Sequence, residues 1–190
     1  MNTQSHILMG AALFGAAHDA PLTIAAIAGG AAPDVPAILM VFWSRFVQGR
    51  SPREIFGSLY FSKGWQSAIA PWHSLPVWIV MLGAGFVLSA PLLTAFSASA
   101  LIHAAIDFFL HADDAHRHFW PLSDWRFQSP VSYWDRAHYG QWFAPFETAL
   151  SAAFTLLLMT RYNSPLFLGA LGAVLVLNLT QAAFFLTKRR

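Results

Sequence analysis

Long apolar stretches, interrupted singly by histidine or aspartate, dominate the pattern of this chain. They fall at about 4–17, 20–47, 74–89, 92–111, 144–161 and 165–187. Crossing ~30 Å of hydrocarbon takes ~20 helical residues, so several of these segments are short, and Pro33-Asp34-Val35-Pro36 interrupts the second. The pattern predicts an all-α fold: a polytopic membrane helix bundle of about six apolar helical segments, some short or broken, in a single membrane-embedded domain over residues 1–190. Non-helical backbone at membrane depth is tolerated only against protein or a water-filled cavity, so the proline pair predicts a break with a cavity beside it, or else a mere kink of the helix. Met1 to Ser5 has no Lys or Arg and no small-residue cleavage site follows, so the first segment reads as a retained helix rather than a signal peptide. The more polar stretch 112–143 reads as an interfacial cap loop.

Composition changes the picture only by naming the solvent. Hydrophobic residues make up 56% of the chain and charged residues 11%, with a mean hydropathy of +0.49. Globular chains carry about 25% charged residues, so a bilayer is the expected surroundings. The apolar excess and a net charge of +2 exclude a disordered chain and a nucleic-acid partner. There is no cysteine, so any metal must be held by His, Asp or Glu. If all six segments cross, Arg45, Arg50, Arg53, Lys63, Arg117, Arg126, Arg136, Lys188, Arg189 and Arg190 share one side, and of the 11 cations only Arg161 lies opposite. Cytoplasmic loops are enriched in Lys and Arg, which puts both termini and the cap loop in the cytoplasm. Trp43, Trp65, Trp72, Trp120, Trp125, Trp134 and Trp142 fall on that same side, as in an interfacial aromatic belt. Gly10, Ala11, Ala12, Gly15, Gly29, Gly30, Gly169 and Gly172 are small residues that let helix backbones approach in lipid.

Ionisable residues inside apolar segments cost at least ~2.5 kcal/mol each on insertion scales and are functional candidates by default. Here they are His6, Asp34, His73, His103, Asp107 and His111. A helix rises about 1.5 Å per residue. His6 to His18 is thus ~18 Å and Ala20 back to Asp34 ~21 Å, which returns Asp34 to the level of His6. His73 to Ser89 is ~24 Å and Leu92 to Asp107 ~22 Å, which sets Asp107 beside His73. His103, Asp107 and His111 stand at i, i+4 and i+8, a stripe on one helix face. Imidazole and carboxylate are the ligands Zn²⁺ or Mn²⁺ takes without thiolate, so this layer predicts one or two divalent ions, zinc foremost. Each His can equally serve as a hydrogen-bonded packing residue. Just beyond, Asp113, Asp114, His116 and His118 add donors for a supporting role or a second ion, or form an ordinary solvated helix end.

The residues carry a resemblance. His6 on the first helix, Gly29 to Asp34 (Gly-Gly-Ala-Ala-Pro-Asp) closing the second, His73-Ser74 opening the third and His103-x-x-x-Asp107 on the fourth resemble the small bacterial inner-membrane metal-dependent hydrolases whose named member is described as LexA-binding. The resemblance covers roughly residues 1–120. The blocks His118 to Trp125 and Ser129 to Asp135 are similar to membrane proteins labelled as cobalamin biosynthesis proteins, although nothing in the chain resembles a corrinoid enzyme or an amidotransferase. The resemblance implies metal-dependent hydrolysis with His6, Asp34, His103 and Asp107 as ligands.

The resulting expectation is a hydrolase of the inner membrane acting on a phosphoester or related ester of a lipid or lipid-linked substrate. Its metal ligands are drawn from His6, Asp34, His73, His103, Asp107, His111 and Asp114, with Asp107 or Asp113 as base. Two alternatives stay open: a non-catalytic carrier or binder of metal ions or protons, and a structural or regulatory protein whose polar layer only fixes helix packing.

Overall fold

A computed structural model describes residues 1–187, and among them all regular structure is helical. Lys188, Arg189 and Arg190, the expected terminal anchor, lie outside the described residues. The main elements are α1 (Thr3–Phe14), α2 (Ala20–Ala31), α3 (Val35–Phe42), α4 (Pro52–Glu54), α5 (Lys63–Ile69), α6 (Leu75–Val87), α7 (Pro91–Asp107), α8 (Gly140–Arg161) and α9 (Pro165–Thr187). Three helical runs, Ala20–Val47, Gly140–Arg161 and Pro165–Ala183, are long and apolar enough to cross a membrane. Helices α1, α6 and α7 have 12, 13 and 17 residues, or about 18, 20 and 26 Å, short of the ~30 Å core. Among the described residues, length and hydropathy thus mark three of the six expected segments as candidate spans. The outer surface is apolar, with Val80, Val87 and Leu166 more than two-thirds exposed, as a lipid-facing surface requires.

The proline pair does not break the second segment. Ala32–Asp34 is a single 3-10 turn, and backbone angles at Ala32 (−54°, −42°) and Val35 (−51°, −46°) stay helical on both sides of it. Each proline lacks an N–H, but its fixed φ suits the helix, so tightening by one turn costs less than interruption. The run continues through α3 into a π-helical turn at Trp43–Val47.

Helices α1, α2 and α7 form the tight heart of the bundle because glycine removes side chains at their crossings. A methyl group on Gly29 would stand 2.1 Å from the Phe96 carbonyl oxygen of α7, and one on Gly30 would stand 2.6 Å from the His6 carbonyl oxygen of α1. Gly10 is closed in the same way by Ala26 of α2 and Ser99 of α7. Gly169 and Gly172 do not follow this rule. Both have nothing within 4 Å of a built Cβ, so they face outward from α9 rather than into a crossing. The start of α1 is tied to α8 by Glu147, whose carboxylate accepts from the backbone N–H and the side-chain amide of Asn2, both at 2.7 Å.

The segment 108–139 wraps over one end of the bundle. Helix α7 ends at Asp107 instead of running to His111, because Phe109 and Leu110 donate three residues back, to Ile106 and Asp107. The carbonyls thus left without helical donors are taken by the wrap: the Ser129 hydroxyl donates to Phe109, the Tyr133 N–H to Leu110 and the Ser129 N–H to His111. The wrap is fastened to the start of α6 as well, where the Leu75 N–H donates to the His118 carbonyl and the Ser74 hydroxyl to that of Trp120. Of the eight tryptophans only Trp78 is buried, packed on Phe96.

Candidate metal centre

Each hairpin returns its polar residue to one level, under the wrap. His73, His103 and Asp107 are buried there, and Asp34 is one-fifth exposed. Asp34 Oδ1 stands 3.6 Å from His103 Nε2 and 3.7 Å from His73 Nε2, while Asp107 Oδ2 stands 3.2 Å and 3.9 Å from the same two atoms. A donor atom from each of these four residues lies within 4.8 Å of the others. A second group with the same property comprises Asp107, His111 and His116.

Hydrogen bonding at the rim decides what the centre can hold. His103 Nδ1 is 2.7 Å from the Gly30 carbonyl oxygen, which can only accept, so the proton of a neutral His103 sits on Nδ1. Its Nε2 then presents a bare lone pair, buried, to carboxylate oxygens of Asp34 and Asp107, and it has no hydrogen-bond partner. Both ring nitrogens of His73 are also buried without partners. Lone pairs crowded together at 3.2–3.9 Å repel unless a cation or proton lies among them. Two donors bound at about 2.0–2.1 Å to a tetrahedral ion stand roughly 3.4 Å apart, so the set fits a divalent metal.

The remaining expected residues take other positions. His6 Nε2 is 2.9 Å from Asp107 Oδ1 and its ring stacks on His103 at 3.6 Å, but it belongs to neither donor group. The Met1 amino group donates to the same Asp107 oxygen at 2.7 Å. Asp107 Oδ1 is therefore engaged from behind, and Oδ2 faces the imidazoles. Asp114 stands behind His111, accepting from its Nδ1 at 2.8 Å and from the Trp134 indole N–H at 2.9 Å, and it too lies outside the donor groups. Asp113 is exposed and apart from both groups. His111 reaches the cluster, its Nε2 3.4 Å from Asp107 Oδ2, from a turn past the end of α7 rather than from the helix face the spacing predicted.

In the wrap, burial alone would depress His111, but hydrogen bonds and charge from Asp107 and Asp114 win and raise its pKa to about 9. Burial likewise opposes ionisation of Asp114, yet His111 and Trp134 hold its carboxyl below the usual range. Burial and the neighbouring His73 keep His116 well below its ordinary value and pull His118 to about 3. A ring that stays neutral keeps a lone pair for a metal.

A cavity of ≈ 700 Å³ opens onto this cluster. Its polar end carries Thr3, Asp34, His73, His111, Asp114 and His116, and Thr3 donates to Asp34 Oδ2 at 2.5 Å. Its apolar end is walled by Ile38, Val41, Phe42 and Phe46 of the α3 run and by Phe56 and Phe61 of the 52–61 segment, and those phenylalanines are 47–72% exposed. No apolar segment was expected between 47 and 74, so the sequence pattern missed this wall. It also passed over Glu147, although a lone carboxylate in the apolar stretch 144–161 was the signal to look for. Comparison with known proteins returned no matching family model, curated protein or solved structure.

Proposed function

We propose that this chain is a metal-dependent hydrolase of the bacterial inner membrane, cleaving a phosphoester or related ester of a lipid or lipid-linked substrate. It resembles the small inner-membrane metal-dependent hydrolases, and with all six apolar segments crossing, both termini and the wrap face the cytoplasm, where the cations concentrate. The observation that carries the reading is the bare, buried Nε2 of His103 set between the carboxylates of Asp34 and Asp107, directly behind a cavity that Asp34 and His73 line.

Asp34, His73, His103 and Asp107 hold the ion. When bound, a divalent ion polarises the substrate oxygen and lowers the pKa of a water toward ~7. His6 and the Met1 amino group fix the Asp107 carboxylate, and the Gly30 carbonyl fixes the His103 tautomer. Asp107, its Oδ1 taken by the Met1 amino group and His6 and its Oδ2 among the ligand atoms, is poorly placed as a base, and Asp113 is exposed and outside both donor groups. Asp34, which lines the cavity and is positioned by the Thr3 hydroxyl donating to its Oδ2, is the carboxylate that would accept a proton from water held there. The phenylalanine end receives an acyl or prenyl chain and excludes water behind the headgroup.

A carrier needs polar stations onward to the far face. From the centre a buried strip runs through Ser5, Ser151 and Asn178, linked by hydrogen bonds of 3.0–3.2 Å. One turn further along α1 it meets the closed apolar cluster of Leu8, Ala11, Ala12, Leu158 and Leu171. That plug favours hydrolysis over transport. The test is elemental analysis of the detergent-purified chain, then release of headgroup from short-chain phosphoester lipids set against ion uptake into liposomes. Stoichiometric metal with headgroup release and no uptake is expected. Metal with uptake and no release points to a carrier, and a metal-free chain removes the proposal.

A further inference from the structure

Resting on the metal reading above, we infer that the centre takes two divalent ions, with Asp107 Oδ2 bridging an ion held by Asp34, His73 and His103 and a second held by His111 and His116. The two donor groups share Asp107 and nothing else. A carboxylate oxygen offers two lone-pair directions. Oδ1 spends its pair on the Met1 amino group and His6. Oδ2 has no such engagement and stands 3.2 Å from His103 Nε2 on one side and 3.4 Å from His111 Nε2 on the other.

The second set is prepared as the first is. Asp114 accepts from His111 Nδ1, so the neutral ring turns a bare Nε2 toward Asp107. Trp134 pins the same Asp114 oxygen, which fixes the ring's orientation. His116 is buried, its Nδ1 has no partner, and it lies face to face with His73 at 3.7 Å, one ring from each set. Two protonated rings would repel at that spacing, whereas two neutral ligand rings stack. Charge points the same way. Among the described residues lining the cavity there is no Lys or Arg, while Asp34 and Asp114 both line it. An anionic headgroup entering there meets two carboxylates and no Lys or Arg, and a second ion adds positive charge to receive it.

The test is a Zn²⁺ titration of the metal-stripped, detergent-purified full chain, read as ions retained per chain, with electron paramagnetic resonance of the Mn²⁺-loaded form. The wild type should retain two ions and give the exchange-coupled signal of carboxylate-bridged manganese. His116→Ala should retain one ion and give the isolated-ion signal, with helical content unchanged by circular dichroism. Asp114→Asn, which leaves every ligand in place, should weaken only the second ion, by about 10–100-fold. One ion in the wild type that survives both substitutions unweakened overturns the two-ion inference and leaves the metal reading standing. No ion in the wild type overturns both.

Discussion

The two large cavities of this molecule differ in chemistry rather than in size. The larger, ≈ 940 Å³ between α6, α7 and the far ends of α1 and α2, is lined by Phe14, Leu22, Leu82, Phe86, Leu101 and alanines, with Ser89 and Thr94 its only hydroxyls. The smaller, ≈ 700 Å³, holds three imidazoles and two carboxylates at one end. Both are apolar enough for a lipid chain, but only the smaller presents imidazoles and carboxylates that could hold a cation. In a membrane protein, volume marks where lipid can lie, and unpaired buried donors mark where chemistry can happen.

Substitutions should separate the two regions, and Asp107→Ala should do so most sharply. It strands the Met1 amino group and His6 and removes a shared ligand, so it should abolish metal retention and cost about 3–5 kcal/mol, read by thermal unfolding in detergent. Phe86→Ala in the larger cavity should leave metal content unchanged. Next come the glycines that close the helices around the smaller cavity. Gly30→Val drives a side chain into the His6 backbone and should cost about 1–3 kcal/mol with loss of metal, whereas Gly169→Ala meets open space and should be neutral or slightly stabilising.

A proton competes for the place of an ion at His111. Its pKa is raised to about 9, so the ring is charged below that value and must lose its proton to bind metal. Affinity at this position should fall by about tenfold per pH unit as pH drops below ~9, and calorimetry in buffers of different ionisation enthalpy should register proton release. The smallest effect belongs to the apolar end. Phe56→Ala should raise KM for a long-chain substrate by roughly fivefold, about 1 kcal/mol of uniform binding, with kcat unchanged, and the same change at Phe86 should not.

Much of the centre was legible in the sequence because helix rise is a fixed length. Counting residues along two hairpins was enough to bring Asp34 to the level of His6 and Asp107 to that of His73, and spacing alone paired His103 with Asp107. Where regular geometry stopped, so did legibility. No periodicity told that α7 would end at Asp107, because the turn that follows it is held by Ser129 and Tyr133, which donate to the carbonyls of Phe109, Leu110 and His111 from about 20 residues away. His116 was visible as a candidate donor, but its stacking on His73 depends on the path of an irregular segment. The proline pair was read as a break when backbone geometry needed only a tighter turn. Gly169 and Gly172 share the composition of the packed glycines, and only tertiary contact separates the two sorts.

The central claim is that His103 and its neighbours are ligands rather than packing residues. X-ray absorption at the zinc edge, on the purified chain loaded with zinc and washed, tests it most directly. The account predicts nitrogen and oxygen scatterers at ~2.0–2.1 Å with the outer-shell pattern of imidazole, lost in His103→Ala. A chain that retains no zinc, or zinc surrounded by water oxygens alone and indifferent to His103→Ala, would contradict it.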